Sequence, residues 1–278
     1  MAMDFENVLI LIQKELRDAF RNRWFLLYAI AFTALSLALA WFSVSGAGSF
    51  GVAGFGRTTA GLINLILLIV PLMGLTLGAM SVAGEREKGT LVYLLAQPIS
   101  SAELLLGKFV GLSLALTAAL VIGFGLTGIL IAFMGSGGDF MVYLTLLVLS
   151  ILLAVASLSM GFLISAAVKK AATAVGLALF LWLILVYFGD LGLMGTSVVM
   201  QMDVKQLLAL VLVNPLQVFK LAAVLDLRDN LEVLGPAGIY AFRAYGERLW
   251  PLLVGLLIGW VLVPFALATQ AFKKRGVL

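Results

Sequence analysis

Six apolar runs dominate this chain, and none carries an Asp, Glu, Lys or Arg in its middle. They cover residues 24–45, 61–83, 104–134, 141–168, 172–188 and 249–272. A run of about 20 apolar residues, rising about 1.5 Å each as a helix, crosses a hydrocarbon core of about 30 Å. No water reaches that core, so the backbone must satisfy its own hydrogen bonds there, and a helix does so within one segment. The expected fold is all-α: a polytopic membrane protein with six transmembrane helices, forming one transmembrane domain over residues 1–278. Composition agrees, since 63% of the 278 residues are hydrophobic and only 12% charged, with a mean hydropathy of +1.16.

The residue inventory removes whole classes of chemistry. There is no Cys and no His, which excludes disulfides, thiolates, imidazole bases and the usual zinc sites. The net charge of +4 is spread over the flanks of the apolar runs and forms no basic stripe, so no nucleic-acid partner is expected. Runs without ionisable groups at membrane depth disfavour an ion-coupled carrier, which must bind and release charge there. The glycine-rich stretches at 46–56 and 135–138 lack the Gly-Lys-Ser/Thr ending of a nucleotide-binding loop, so the chain is not read as an enzyme. Residues 1–23 hold acids and bases ahead of any long apolar run, unlike a cleavable signal peptide.

Three polar segments interrupt the apolar ones. In 4–23, Val8, Leu9, Ile12, Leu16 and Phe20 recur at helical spacing beside charges, which predicts an amphipathic helix on the membrane surface. In 84–103, Glu85, Arg86, Glu87 and Lys88 follow an apolar run directly. Gly89 then breaks the helix and Thr90 is placed to cap a short one over 91–96, with Leu91, Leu94 and Leu95 on one face and Pro98 ending it. Ser100 and Glu103 form a Ser-x-x-Glu capping box that opens the next span. The third segment, 189–248, mixes acids and bases and holds two short helical candidates, 204–213 and 216–225, split by Asn214-Pro215. Each is too short to span alone, so a re-entrant or interfacial helical hairpin is expected between spans five and six. Asn214, Pro215, Asp226, Arg228 and Asp229 are its candidate docking residues for an outer partner.

Smaller signals fall within or beside the spans. Gly74 and Gly78, and again Gly255 and Gly259, have the spacing that lets two helices approach closely, and Pro71 marks a kink. The hydroxyls of Ser36, Thr76, Thr117, Ser157 and Ser159 are expected to bond their own helix backbone. Met194, Met200 and Met202 cluster in the third segment; thioethers suit Cu(I), although Met also packs routinely on apolar faces.

Charge sets the topology. With the N-terminus inside and six spans, the inner segments hold twelve of the eighteen bases, and the short outer loops hold only Arg57. Both termini and the 84–103 loop are therefore expected on the cytoplasmic side of a bacterial inner membrane.

The block Glu-Arg-Glu-x-Gly-Thr at 85–90, followed by Leu94-Leu95, Pro98, Ser100, Glu103 and Gly107-Lys108, resembles the first cytoplasmic loop of ABC-2 type transporter permeases. The resemblance implies that 4–23 is an elbow helix and that the short helix in 84–103 is a coupling helix docking on a separate ABC ATPase subunit. Glu85, Arg86, Glu87, Gly89, Thr90, Leu91, Leu94, Leu95 and Pro98 would form the coupling site. ATP and Mg would bind on the ATPase, a second copy of the chain would complete the transporter, and membrane lipid would surround it. The chain is also similar to the membrane subunits of transporters that serve copper-site assembly of bacterial nitrous-oxide reductase, which implies an extracytoplasmic copper-handling partner of β-helix type. Export of a lipid-like cargo, and a membrane scaffold without ATPase coupling, are the other readings the residues leave open.

Overall fold

A computed structural model describes residues 5–45, 51–97, 99–133, 140–199, 204–226 and 235–275. Every regular element among them is helical. In order they are α1 (Phe5–Arg21), α2 (Arg23–Ser45), α3 (Gly51–Glu87), α4 (Thr90–Leu95), α5 (Ser101–Phe133), α6 (Phe140–Ala167), α7 (Ala171–Val199), α8 (Val204–Val213), α9 (Pro215–Asp226), α10 (Gly235–Tyr245) and α11 (Leu249–Arg275).

Five stretches are long and apolar enough to cross a membrane: Arg23–Phe42, Thr59–Glu87, Ser101–Phe133, Phe140–Ala167 and Gly238–Lys274. The pair α8 and α9, bent by 107° at Asn214, brings the number to six when counted as one span. The run expected as the fifth span, 172–188, falls in α7, whose apolar part Ala171–Tyr187 is shorter than the other five. As a helix, however, α7 continues to Val199, eleven residues into the segment expected to be the hairpin. The two hairpin helices themselves lie where the sequence places them, and α10 is an addition.

The centre of the bundle is the contact of α3 with α6. These helices run parallel in a constant register, with Gly74 beside Ser157, Gly78 beside Gly161, and Val82 beside Ser165. A Cβ on Gly74 would lie 2.5 Å from the Ala154 carbonyl, and one on Gly161 would lie 2.5 Å from that of Leu75. Only hydrogen at these positions lets the backbones meet, as the spacing of Gly74 and Gly78 predicts. The matching expectation for Gly255 and Gly259 fails, because nothing lies within 4 Å of a Cβ at either. Helix α11 packs instead through Leu253, Leu257, Ala268 and Phe272, which are buried. Spacing marks a possible close approach but cannot say which face meets a neighbour.

Two prolines interrupt the membrane helices, and each is compensated by a donor on another helix. Trp182 Nε1 donates to the Leu68 carbonyl at 3.0 Å, three residues before Pro71, and the Ser159 hydroxyl donates to the Val261 carbonyl at 2.6 Å, three residues before Pro264. A proline weakens the helical ladder on the turn before it, and neighbouring side chains can restore the lost bonds. Ser36, Thr76, Thr117 and Ser157 bond their own helices as expected; Ser159 is the exception. Near the start of α5, Phe109, Phe162 and Phe265 join α5, α6 and α11 in one aromatic cluster, with the Phe109 and Phe265 centroids 4.2 Å apart. The end of α11 therefore lies on the same side of the bundle as α1 and the 84–103 loop.

Candidate functional site

At about 1.5 Å per residue, the 37 residues of α3 exceed the hydrocarbon thickness, so its last turn projects beyond the apolar zone. That turn ends in Glu85-Arg86-Glu87, and each of the three side chains reaches a different neighbour. Glu85 Oε1 accepts from Lys108 Nζ on α5 at 2.7 Å and from Lys14 Nζ on α1 at 3.2 Å. Arg86 Nη1 donates to the Val168 carbonyl, just past α6, at 2.6 Å. Glu87 Oε2 accepts from the backbone N–H of Ala171 at 2.8 Å, satisfying one of the open donors at the start of α7. Three consecutive charges thus fasten the inner ends of α1, α5, α6 and α7 to the end of α3.

Lys108 is the most enclosed member, at 1% exposure. It donates to Glu15 Oε1 as well as to Glu85, both at 2.7 Å, and Lys14 adds a 2.9 Å bond to Glu15. Burial alone would push the Glu15 carboxyl upward, but Lys108 and Lys14 outweigh it and hold the group below the ordinary carboxylate range. Burial would lower Lys14, yet Glu15 and Glu85 together raise it above its usual value. Two cations and two carboxylates therefore form one buried, charge-balanced centre.

Helix α1 enters this centre through Leu11, Glu15 and Ala19, its buried face. Its backbone comes close because Gly107 and Gly111 of α5 leave room. A Cβ on Gly111 would lie 2.9 Å from the Ile12 carbonyl. The stripe read from the sequence lies elsewhere on the helix. Leu9 and Phe20 are exposed, with Phe5 and Ile10 near them, as suits a helix whose second face meets lipid.

Helix α4 sits on this base. Gly89, with φ of 74°, caps its start, in place of the expected Thr90, because the turn out of α3 needs a left-handed residue. Thr90 is the first helical residue instead, and its hydroxyl donates to the Glu85 carbonyl at 3.2 Å. Leu91 is buried, and Leu94 and Leu95 are half-buried against the core. The exposed side chains of α4 are Val92, at 55%, and Tyr93, at 78%. Pro98 lies outside the described residues. The capping box forms as expected: Ser100 N–H donates to Glu103 Oε2 at 2.7 Å, and Glu103 N–H donates to Ser100 Oγ at 3.2 Å. Between α4 and α1 lies a cleft of about 600 Å³, with Lys14 and Asp18 on one wall, Thr90 and Tyr93 on the other, and Leu77 and Leu112 at its floor.

The candidate outer residues divide. Asn214 is engaged within the chain: its Oδ1 accepts from Leu216 N–H at 3.0 Å, capping α9, and its Nδ2 donates to the Leu185 carbonyl of α7 at 2.8 Å. Pro215 is the buried first residue of α9. Asp226 ends α9, while Arg228 and Asp229 lie outside the described residues, as do Met200 and Met202. Met194 falls in the later part of α7.

Bundle and inner loop together define a transporter permease. Residues 9–277 match the model of the ABC-2 family transporter proteins, and the chain belongs to that family. Two relatives narrow the comparison, each called a probable ABC transporter permease protein NosY. The one from Stutzerimonas stutzeri is 31% identical over 270 residues, covering 95% of this chain and 96% of the relative. That from Pseudomonas aeruginosa is 34% identical over 281 residues, covering 95% and 97%. The chain is thus the permease subunit of an ABC transporter, whose family implies a separate ATPase subunit as partner.

Sequence reasoning did not single out Glu15 or Lys14, and it read Lys108 only as a motif position. The signal for them was faint: an acid and a base on the otherwise exposed helix 4–23, and a lysine at the very start of an apolar run beside Gly107 and Gly111.

Proposed function

We propose that this permease couples ATP hydrolysis on its ATPase subunit to an event on the outer face, with α4 as the coupling helix and α1 as the elbow helix. The carrying observation is the exposure of Val92 and Tyr93 on a helix whose Leu91, Leu94 and Leu95 are turned into the body. An apolar and an aromatic residue projecting beside a cleft suit a groove on a soluble partner. The face bearing them is cytoplasmic, where ATP and Mg bind the partner, and both termini lie on it; this follows from the distribution of bases. A second copy of the chain completes the transporter. The outer event is copper-site assembly of nitrous-oxide reductase with an extracytoplasmic β-helix protein, in keeping with relatives that carry the NosY name. On this reading α7 to α10 face that partner.

Tyr93→Asp puts a charge where the groove must be desolvated, and is expected to abolish co-purification with the ATPase while the permease stays folded. A complex that forms normally with Tyr93→Asp ends the docking reading.

A further inference from the structure

The charges beneath α4 are not accounted for by packing. A buried ion cluster can commonly be replaced by apolar side chains of similar volume at no loss of stability, so stability alone gives no reason for Lys108 to sit between Glu15 and Glu85. What charges add is register. Glu85 accepts from Lys14 and Lys108 through one carboxylate oxygen, and its backbone carbonyl accepts from Thr90, the first residue of α4. One glutamate is therefore the common tie of α1, α5 and α4. Gly107 and Gly111 hold the α1 backbone so closely that it cannot lift from α5 without breaking that tie.

We propose that α1 is a working arm of the ATPase-docking unit, keyed to α4 through Glu15, Lys108 and Glu85, so that the two helices shift as one body when the ATPase engages. This rests on the docking role of α4 above. Glu15, Lys108 and Glu85 are positioning residues: none is at the exposed face of α4, and each acts through that helix. The cleft between α1 and α4 then keeps its width during the movement, which an α1 anchored only to lipid would not ensure.

The test uses the full chain with its ATPase subunit in nanodiscs, comparing wild type, Glu15→Gln and Lys108→Met by backbone amide exchange, complex formation and ATP hydrolysis. Both variants are expected to retain the complex, since Val92 and Tyr93 are untouched. Exchange is expected to rise at least tenfold in both 11–19 and 90–95 while α3 and α6 stay protected, and the effect of the permease on the hydrolysis rate is expected to vanish. Exchange that rises in α1 alone, with α4 and the hydrolysis rate unchanged, overturns the proposal. Should Glu15→Gln fail to accumulate, Glu15→Asp, which keeps the charge one methylene back, is expected to give the same joint rise at smaller size; no joint rise there is equally fatal. If wild-type permease neither binds nor influences the ATPase, the docking role of α4 has failed, and the joint exchange of α1 and α4 still decides whether the two are keyed together.

Discussion

Lys108 shows how one residue can matter more than its neighbourhood suggests. It lies four residues before the first turn that is apolar throughout, yet it is fully buried between two carboxylates. Lys108→Met leaves Glu15 and Glu85 facing each other with only Lys14 between, and breaking a buried pair in this way costs about 3–5 kcal/mol. Exposed Lys88, one turn beyond Glu85, is expected to tolerate the same change within about 0.5 kcal/mol. Chemical unfolding of the two variants in one detergent checks the contrast. The pH dependence follows from the two shifted groups. Glu15 is depressed, so its contribution is present above 4.5 and lost as pH falls through its lower folded value. Lys14 is raised, so its contribution is present below 10.5 and lost only as pH climbs past its higher folded value. Amide protection of α1 is therefore expected to be flat from about pH 5 to about pH 10, and to fall away on the acid side below that window. A transition near neutral pH would contradict the assignment.

At the scale of elements, the expected Gly-x-x-x-Gly pairs behave oppositely, and substitution separates them. Gly161→Leu inserts a side chain where the Leu75 carbonyl already lies, and is expected to disrupt the α3–α6 crossing. Gly259→Leu meets open space and is expected to leave the fold of one chain intact. Thermal unfolding in detergent distinguishes the two. Much of the element order was legible in the sequence, because long uncharged runs, the Ser100–Glu103 box and Asn214-Pro215 are all local signals. The outward face of α4 was not, since a helix reading Thr-Leu-Val-Tyr-Leu-Leu is apolar nearly all round and has no periodicity to read. Its orientation is set by the turn at Gly89 and by the bond from Thr90 to Glu85, both consequences of tertiary placement. The length of α7 was misjudged for a related reason: Gly189, Asp190 and Gly192 look like breakers, but the helix runs through them to Val199.

For the whole molecule, direction is the testable property. Helices α3, α6 and α11 run one way and α2 and α5 the other, as the paired contacts of Phe32 with Gly123 and of Ser36 with Thr127 require. A native chain without cysteine allows this to be mapped cleanly. Cysteines placed at Tyr93 and Lys273 are expected to react with an impermeant thiol reagent only from the cytoplasm, and one at Glu247 only from outside; Tyr93 reacting from outside would invert the topology and remove any route to an ATPase.

The glycine crossing of α3 and α6 has a mechanical result. With no side chains interposed, that junction contains nothing soft to compress, so a shove on the inner tip of α3 is handed to α6 almost undiminished. Since α6 also bears against α9 and α11, the stiffest path through the bundle leads from the Glu85 knot straight to the bent pair, bypassing the lipid-facing rim.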